Sequence, residues 1–238
     1  MKPQLPYPCL TLITRLSAPQ GVAPPDSGPA RRPGFPMLTR NPLASTLIQR
    51  VREGVEGGVH VVQVREKESF AKDLYTLAQQ LRHITADRAL LLINDRIDVA
   101  LAVGADGVHL PEDGLPVQAA RRLLGEDKLI GCSVHNVASA LQCAQAGADF
   151  VHVGTLYATD SKPGRIPSGP QLVRDVAAAV DIPAIGVGGI SAQNAPTVMA
   201  AGAHGVAVIS ALLDAPDTSE AAYELTSALA GRAQVQPQ

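Results

Sequence analysis

The feature that most constrains this chain is a regular alternation of two patterns. Short apolar, β-branched runs of strand length recur at 9–13 (CLTLI), 59–64 (VHVVQV), 90–94 (LLLIN), 107–110 (GVHL), 129–134 (LIGCSV), 150–154 (FVHVG), 183–188 (PAIGVG) and 205–210 (GVAVIS). Their continuous apolar character suits strands buried on both faces, hence a parallel sheet covered by helices. Between them lie ASTLIQRVREGV, SFAKDLYTLAQQLRHI, VQAARRLLG, VASALQCAQAG, QLVRDVAAAV, SAQNAPTVMAAG and a final EAAYELTSALA, in which apolar residues recur at three and four. Eight strands with intervening helices predict an α/β fold, a closed (β/α)8 TIM barrel, with a doubly wound open sheet as the alternative.

A short echo supports the alternation. GADGVHL (104–110), GADFVHV (147–153) and GAHGVAV (202–208) share a form, and GGVHVVQ (57–63) is a weaker copy. Each begins with Gly just after a helical pattern, where a left-handed helix end needs it. Each then runs into a strand.

The chain has 238 residues, close to the roughly 250 of a single barrel of this kind. Aromatic residues are 3 % and Trp is absent, so the core must be built mostly of Val, Leu, Ile and Ala. One barrel domain over 1–238 is expected, with its core at about 44–230 and a frayed tail, AQVQPQ. The Pro/Gly-rich stretch 17–43 has little periodicity and reads as a flexible insertion after the first strand. Net charge is −2 with no long Lys/Arg run, which argues against broad binding to nucleic acid or to a membrane surface. No apolar run approaches the roughly 18 residues of a membrane helix, and the N-terminus lacks an apolar signal core. A cytoplasmic protein is expected. Cys9, Cys132 and Cys143 are too few and too scattered for a disulfide framework or a Cys-rich metal site. The sequence leaves the oligomeric state open, a homo-oligomer included.

In such a barrel, chemistry belongs at the C-terminal ends of the strands. After the second run, Gln63, Arg65 and Lys67 alternate to one side. Two cations and an amide suit an oxygen-rich anion, but a solvated surface pairing with Glu66 accounts for the same residues. After the third run, Asn94 could fix a heterocycle edge and Asp95 could offer oxygen to Mg²⁺; both are also favoured helix N-caps. After the fourth, Glu112 and Asp113 could complete a metal site or be ordinary loop acids. After the fifth, Ser133 and His135 share a side, and His could move protons or be structural. The long polar loop 154–164, with Thr159, Ser161 and Lys162, reads as a lid over an anion or a plain solvent loop. Gly188 and Gly189 after the seventh run, and Ile209 and Ser210 after the eighth, occupy the two loops where barrels frequently hold phosphate.

These residues, in this order, resemble the thiamine phosphate synthase family together with its relatives, the thiazole tautomerases. The resemblance covers about 44–215 and rests on Q-x-R-E-K, N-D, S-x-H, T-x-S-K, G-x-G-G-I and V-I-S-A, with TLIT like the family's first strand. It implies a transferase of thiamine biosynthesis. That enzyme condenses hydroxymethylpyrimidine pyrophosphate with thiazole phosphate and releases pyrophosphate, with Mg²⁺ as cofactor. Its partners would be small phosphorylated substrates, with no nucleic acid and no membrane. By resemblance, Gln63, Arg65, Lys67, Asn94, Ser133 and Lys162 would hold the pyrimidine pyrophosphate. Asp95 would bind Mg²⁺, and Thr159, Ser161, Gly189, Ile209 and Ser210 would hold the thiazole phosphate, beside the Gly188 that the glycine turn itself suggests. The family's H-x-G-Q-x-D, whose Asp is the second metal ligand, is here the shorter H-L-P-E-D. Asp113, Glu112 or neither takes that place; Asp113 is the candidate carried forward. Pro111 and S-V-H look more like the tautomerase branch, in which His135 would be the acid/base acting on thiazole carboxylate phosphate. The family's G-P after the sixth strand is Gly154-Thr155. A tautomerase and a non-catalytic phosphate-binding paralogue are therefore the alternatives to a synthase.

Overall fold

The computed structural model describes residues 2–16, 42–161 and 164–231. Its elements run β1 (Cys9–Ile13), α1 (Pro42–Glu56), β2 (Val61–Val64), α2 (Ala71–Thr85), β3 (Leu90–Asn94), α3 (Ile97–Ala102), β4 (Gly107–Leu110), α4 (Val117–Leu124), β5 (Leu129–Val134) and α5 (Val137–Gln145). They continue as β6 (Phe150–Val153), α6 (Gly169–Ala179), β7 (Ala184–Val187), α7 (Ala195–Ala200), β8 (Gly205–Val208), α8 (Ser210–Leu213) and α9 (Thr218–Ala230). The strands close in sequence order, β8 pairing parallel with β1. The closed TIM barrel is therefore the observed architecture, and the open sheet is not.

The echo marks a repeated local device. Gly104, Gly147 and Gly202 have φ of 64°, 92° and 97°, the left-handed region. A Cβ at Gly104 or Gly147 would meet nothing within 4 Å, so conformation and not space demands glycine there. The acid two residues on ties down the barrel's lower rim. Asp106 Oδ2 accepts from Leu91 N and Arg82, both at 2.7 Å. Asp149 Oδ2 does the same for Ile130 N at 2.7 Å and Arg121 at 2.6 Å. His60 plays this part for β1, its Nδ1 accepting from Leu10 N at 3.1 Å.

Two cores result. The larger lies between strands and helices, and the smaller fills the barrel with Cys9, Ile13, Leu92, Phe150 and Ile185 among others. With so few aromatic rings, Phe150 needs a fitted seat. A Cβ on Gly131 would lie 2.1 Å from Phe150 Cζ, so glycine on β5 makes room for the ring on β6. This packing leaves the upper ends of the strands to carry the polar residues.

Three expectations need correction. α3 was not foreseen, because six residues are too few to show helical periodicity. The eighth run breaks after Val208, and α8 starts at Ser210. Pro42 and Leu43 belong to α1; the rest of the insertion expected at 17–43 lies outside the described residues.

Candidate active site

Gln63 points into the barrel and is 1 % exposed. Its Nε2 donates to Asn94 Oδ1 at 3.2 Å. Its Oε1 is buried with no hydrogen-bond partner among the described residues, an acceptor that a bound donor would satisfy. Arg65 and Lys67 make no ion pair among the described residues, so the surface pairing with Glu66 does not occur. Glu66 turns away: its Oε1 accepts from Thr14 Oγ1 at 2.5 Å and its Oε2 from Leu16 N at 2.8 Å. Thr14 Oγ1 in turn accepts from Arg65 N at 2.9 Å. Burial raises the Glu66 pKa. The acid in Q-x-R-E-K thus buckles the end of β2 to the exit of β1 and leaves both cations available for an external anion.

The N-cap readings of Asn94 and Asp95 also fail. The cap of α3 is Arg96, without a side-chain cap bond, and Arg96 pairs with Asp98 at 2.6 and 2.9 Å. Asp95 sits at φ 65° with its N–H bonded to His109 O at 2.9 Å. Asp95 and Asp113 wall one hollow with Lys67, Asn94 and Pro111. Neither carboxylate makes a hydrogen bond or ion pair among the described residues. Glu112 is not in that hollow; its Oε2 lies 2.7 Å from His135 Nδ1. Two carboxylates lining one hollow fit Mg²⁺, which takes one or two carboxylates and completes its shell with phosphate and water. Among the described residues no group of three or more His, Cys, Asp or Glu converges as a cage would require.

A second cavity shares Asn94 with this hollow. Its walls include Gln63, Arg65, Asn94, Ser133, Thr159, Ser161, Gly188, Gly189, Ile209 and Ser210. A third hollow joins Arg65, Lys67, Asn94, Asp113, Ser133 and His135. Asn94 borders all three, so every expected site residue within the described part lines one of three neighbouring hollows. Lys162 lies outside the described residues. The turn after β7 is tight: Gly188 and Gly189 have φ of 102° and 62°. Asn194 secures it, accepting from Ser191 N at 2.9 Å and donating to Gly189 O at 3.0 Å.

Sequence reasoning missed the cavity floor. His109 Nε2 is 2.9 Å from Ser133 Oγ, and the rings of His109 and His152 pack 4.1 Å apart. Alternation along β4 and β6 would have turned both histidines inward, but only strand pairing reveals that they meet. His152 has no hydrogen bond among the described residues, and burial pushes its pKa from 6.5 down to about 3. An unfolded imidazole takes a proton below 6.5 that the folded ring refuses until about 3. The neutral ring therefore costs no stability above 6.5 and destabilises the fold as pH falls through that window. We expect the slope of unfolding free energy against pH, between 4 and 6, to flatten in His152→Phe by up to about 1.4 kcal/mol per unit. Denaturant melts at several pH values measure it. Unchanged slopes would mean that His152 titrates normally. His60, also depressed by burial, supplies a residual slope of the same sign.

A family model described as thiamine monophosphate synthase matches residues 37–212. The chain is 48 % identical over 184 residues to a thiamine-phosphate synthase of Haloarcula marismortui, covering 75 % of this chain and 87 % of that one. It is 43 % identical over 182 residues to a thiamine-phosphate synthase of Roseiflexus, covering 76 % and 77 %. Among solved structures, a thiamine phosphate pyrophosphorylase from Pyrococcus furiosus superposes with a TM-score of 0.76 at 31 % identity, covering 94 % and 96 %.

Proposed function

Because this chain belongs to the thiamine monophosphate synthase family, we propose that it is the transferase joining hydroxymethylpyrimidine pyrophosphate to thiazole phosphate, with pyrophosphate as the leaving group. The observation that carries this reading is the coexistence, in hollows that share Asn94, of Arg65 and Lys67 with no ion pair among the described residues, the carboxylates of Asp95 and Asp113, and the glycine turn after β7. A tautomerase has no use for the first two sets.

The C–O bond to pyrophosphate breaks as the thiazole nitrogen closes on the pyrimidine methylene, so negative charge grows on the departing oxygens. Fixed cations aimed at that charge lower the barrier without reorganising during the step. Arg65 offers a fork to two oxygens, and Lys67 a point charge. Gln63 Oε1 accepts from the pyrimidine amino group, and Asn94 fixes the Gln63 amide. When His109 donates through Nε2, the Ser133 hydroxyl is free to donate to the pyrophosphate. Asp95 and Asp113 would hold Mg²⁺, which neutralises charge on the leaving group when bound. The thiazole phosphate sits against Gly188, Gly189, Ile209 and Ser210, with Thr159 and Ser161 closing over it. The packed rings of His109 and His152 form part of the cavity wall beneath the reacting carbon. The compartment is the cytoplasm, since substrates this charged do not cross a bilayer unaided.

The test is an assay of the purified protein with both precursors and Mg²⁺. Thiamine phosphate should form, and chelation should abolish its formation. Conversion of thiazole carboxylate phosphate without metal, and no thiamine phosphate, would replace this reading with the tautomerase.

A further inference from the structure

We propose that Arg165, on the segment between β6 and α6, is a further pyrophosphate-binding residue, and that His135 acts as the positioning residue that aims it. The inference rests on the synthase reading above for its substrate.

Arg165 Nη1 lies 2.5 Å from His135 Nε2. A guanidinium has donors only and does not lose its proton in proteins, so it donates and the imidazole nitrogen accepts. His135 must then carry its ring proton on Nδ1. The Glu112 carboxylate, with Oε2 2.7 Å from Nδ1 but outside hydrogen-bond geometry, places negative charge on that side of the ring and so favours the proton there. Carboxylate, imidazole and guanidinium form a row across three loops, following β4, β5 and β6.

The consequence is electrostatic. Arg165 makes no ion pair with a carboxylate among the described residues; it is held by a neutral ring and keeps its full charge. It walls the same hollow as Arg65, Lys67, Ser133 and His135. Three cations, Arg65, Lys67 and Arg165, line this hollow with two carboxylates, Glu112 and Asp113, and one donor spent on His135 leaves the rest of the guanidinium for the oxygens of an anion. A carboxylate at position 135 would hold Arg165 as well but cancel its charge. This also removes His135 from proton transfer in this arrangement, because the lone pair that a general base needs is occupied.

The experiment is calorimetric titration of the intact protein with inorganic pyrophosphate in Mg²⁺. The variants are Arg165→Ala, Arg165→Lys, His135→Phe, His135→Gln and the Arg165→Ala/His135→Phe pair, each first checked by thermal melting. Arg165→Ala and His135→Phe should each weaken binding by about tenfold or more, and the double variant should be no worse than either, since both remove the same contact. His135→Gln should recover much of the loss, its amide oxygen replacing the Nε2 acceptor. The KM for thiazole phosphate should not move. Unchanged binding in both Arg165 variants would overturn the proposal. So would His135→Phe that binds pyrophosphate normally but turns over slowly, which marks a proton-transfer group. If Arg165→Ala melts early, Arg165→Lys, which keeps the charge but loses the fork, carries the test. Wild-type protein that forms no thiamine phosphate, yet loses pyrophosphate on Arg165→Ala, would sink the synthase reading and leave this assignment standing.

Discussion

Arg65→Ala should lower kcat/KM for hydroxymethylpyrimidine pyrophosphate on the order of 10²-fold, while the KM for thiazole phosphate stays put. A charge-assisted hydrogen bond is worth about 1.5–3 kcal/mol, and roughly 1.4 kcal/mol is tenfold. Loss of a donor aimed at developing charge costs about 10²–10³ in other enzymes. The lower end of that range is expected: Arg65 makes no ion pair among the described residues, since Glu66 accepts from Thr14 and Leu16, but the Glu66 charge still acts on it. The loss should fall on kcat as well as KM, since charge on the leaving oxygens is greater in the transition state than in the ground state. Arg65→Lys should recover only part, having a point charge without the fork. Steady-state kinetics with each substrate varied decides it. A loss below tenfold would mean that Arg65 faces solvent and the anion lies elsewhere.

The barrel was legible because its determinants are local. Apolar runs, helical spacing and the echo glycines each act within a few residues, and all eight strands fall where the runs predict. Failures trace to interactions that cross the chain. Glu66 looks like the partner of Arg65 and Lys67 until Thr14 and Leu16, about fifty positions away, are brought beside it. Asn94 and Asp95 look like caps, yet Asn94 answers Gln63 on the neighbouring strand, 31 positions away. Arg165 carries no local signal at all; its meaning comes from His135, 30 positions earlier.

The shortened loop after β4 shows the same division. Composition offers two acids, Glu112 and Asp113, and spacing cannot separate them. Geometry does so in part: both line the hollow of Arg65 and Lys67, but only Asp113 also lines the hollow of Asp95, and Glu112 lies against His135. The two acids sit in a turn closed by Gly114 N donating to Pro111 O at 3.0 Å, which sends Asp113 toward the Asp95 hollow while Glu112 lies against the imidazole. The departure from the family's H-x-G-Q-x-D therefore leaves a two-carboxylate site within reach. What the loop adds is a link to Arg165, through a residue that the family resemblance alone would assign to proton transfer.

Gly188→Ala should destabilise the fold and cripple thiazole phosphate binding together. The backbone there has φ 102°, and an L-residue held in such a region costs of order 1–3 kcal/mol. Space adds a second cost. The new Cβ would lie 2.6 Å from Thr155 Cγ2 and 3.1 Å from Thr155 Cα. Thr155 cannot yield, being 5 % exposed. The segment after it is also pinned, with Leu156 N donating to Val187 O and Tyr157 N to Gly188 O, both at 3.0 Å. Overpacking of this kind costs about 1–3 kcal/mol more. At roughly 2–4 °C per kcal/mol for a chain of this size, the melting temperature should fall by about 5–20 °C. Gly104→Ala separates the two costs, for Gly104 has φ 64° but nothing within 4 Å of a new Cβ. It should melt only a few degrees low and keep full activity. Relief of the clash has to move either the turn or the Thr155–Tyr157 segment, and both border the proposed phosphate seat. The KM for thiazole phosphate should therefore rise at least tenfold in Gly188→Ala, while inorganic pyrophosphate binding in Mg²⁺ changes little. Equal melting of the two variants would remove the steric argument. An early-melting Gly188→Ala with a normal thiazole phosphate KM would remove the seat.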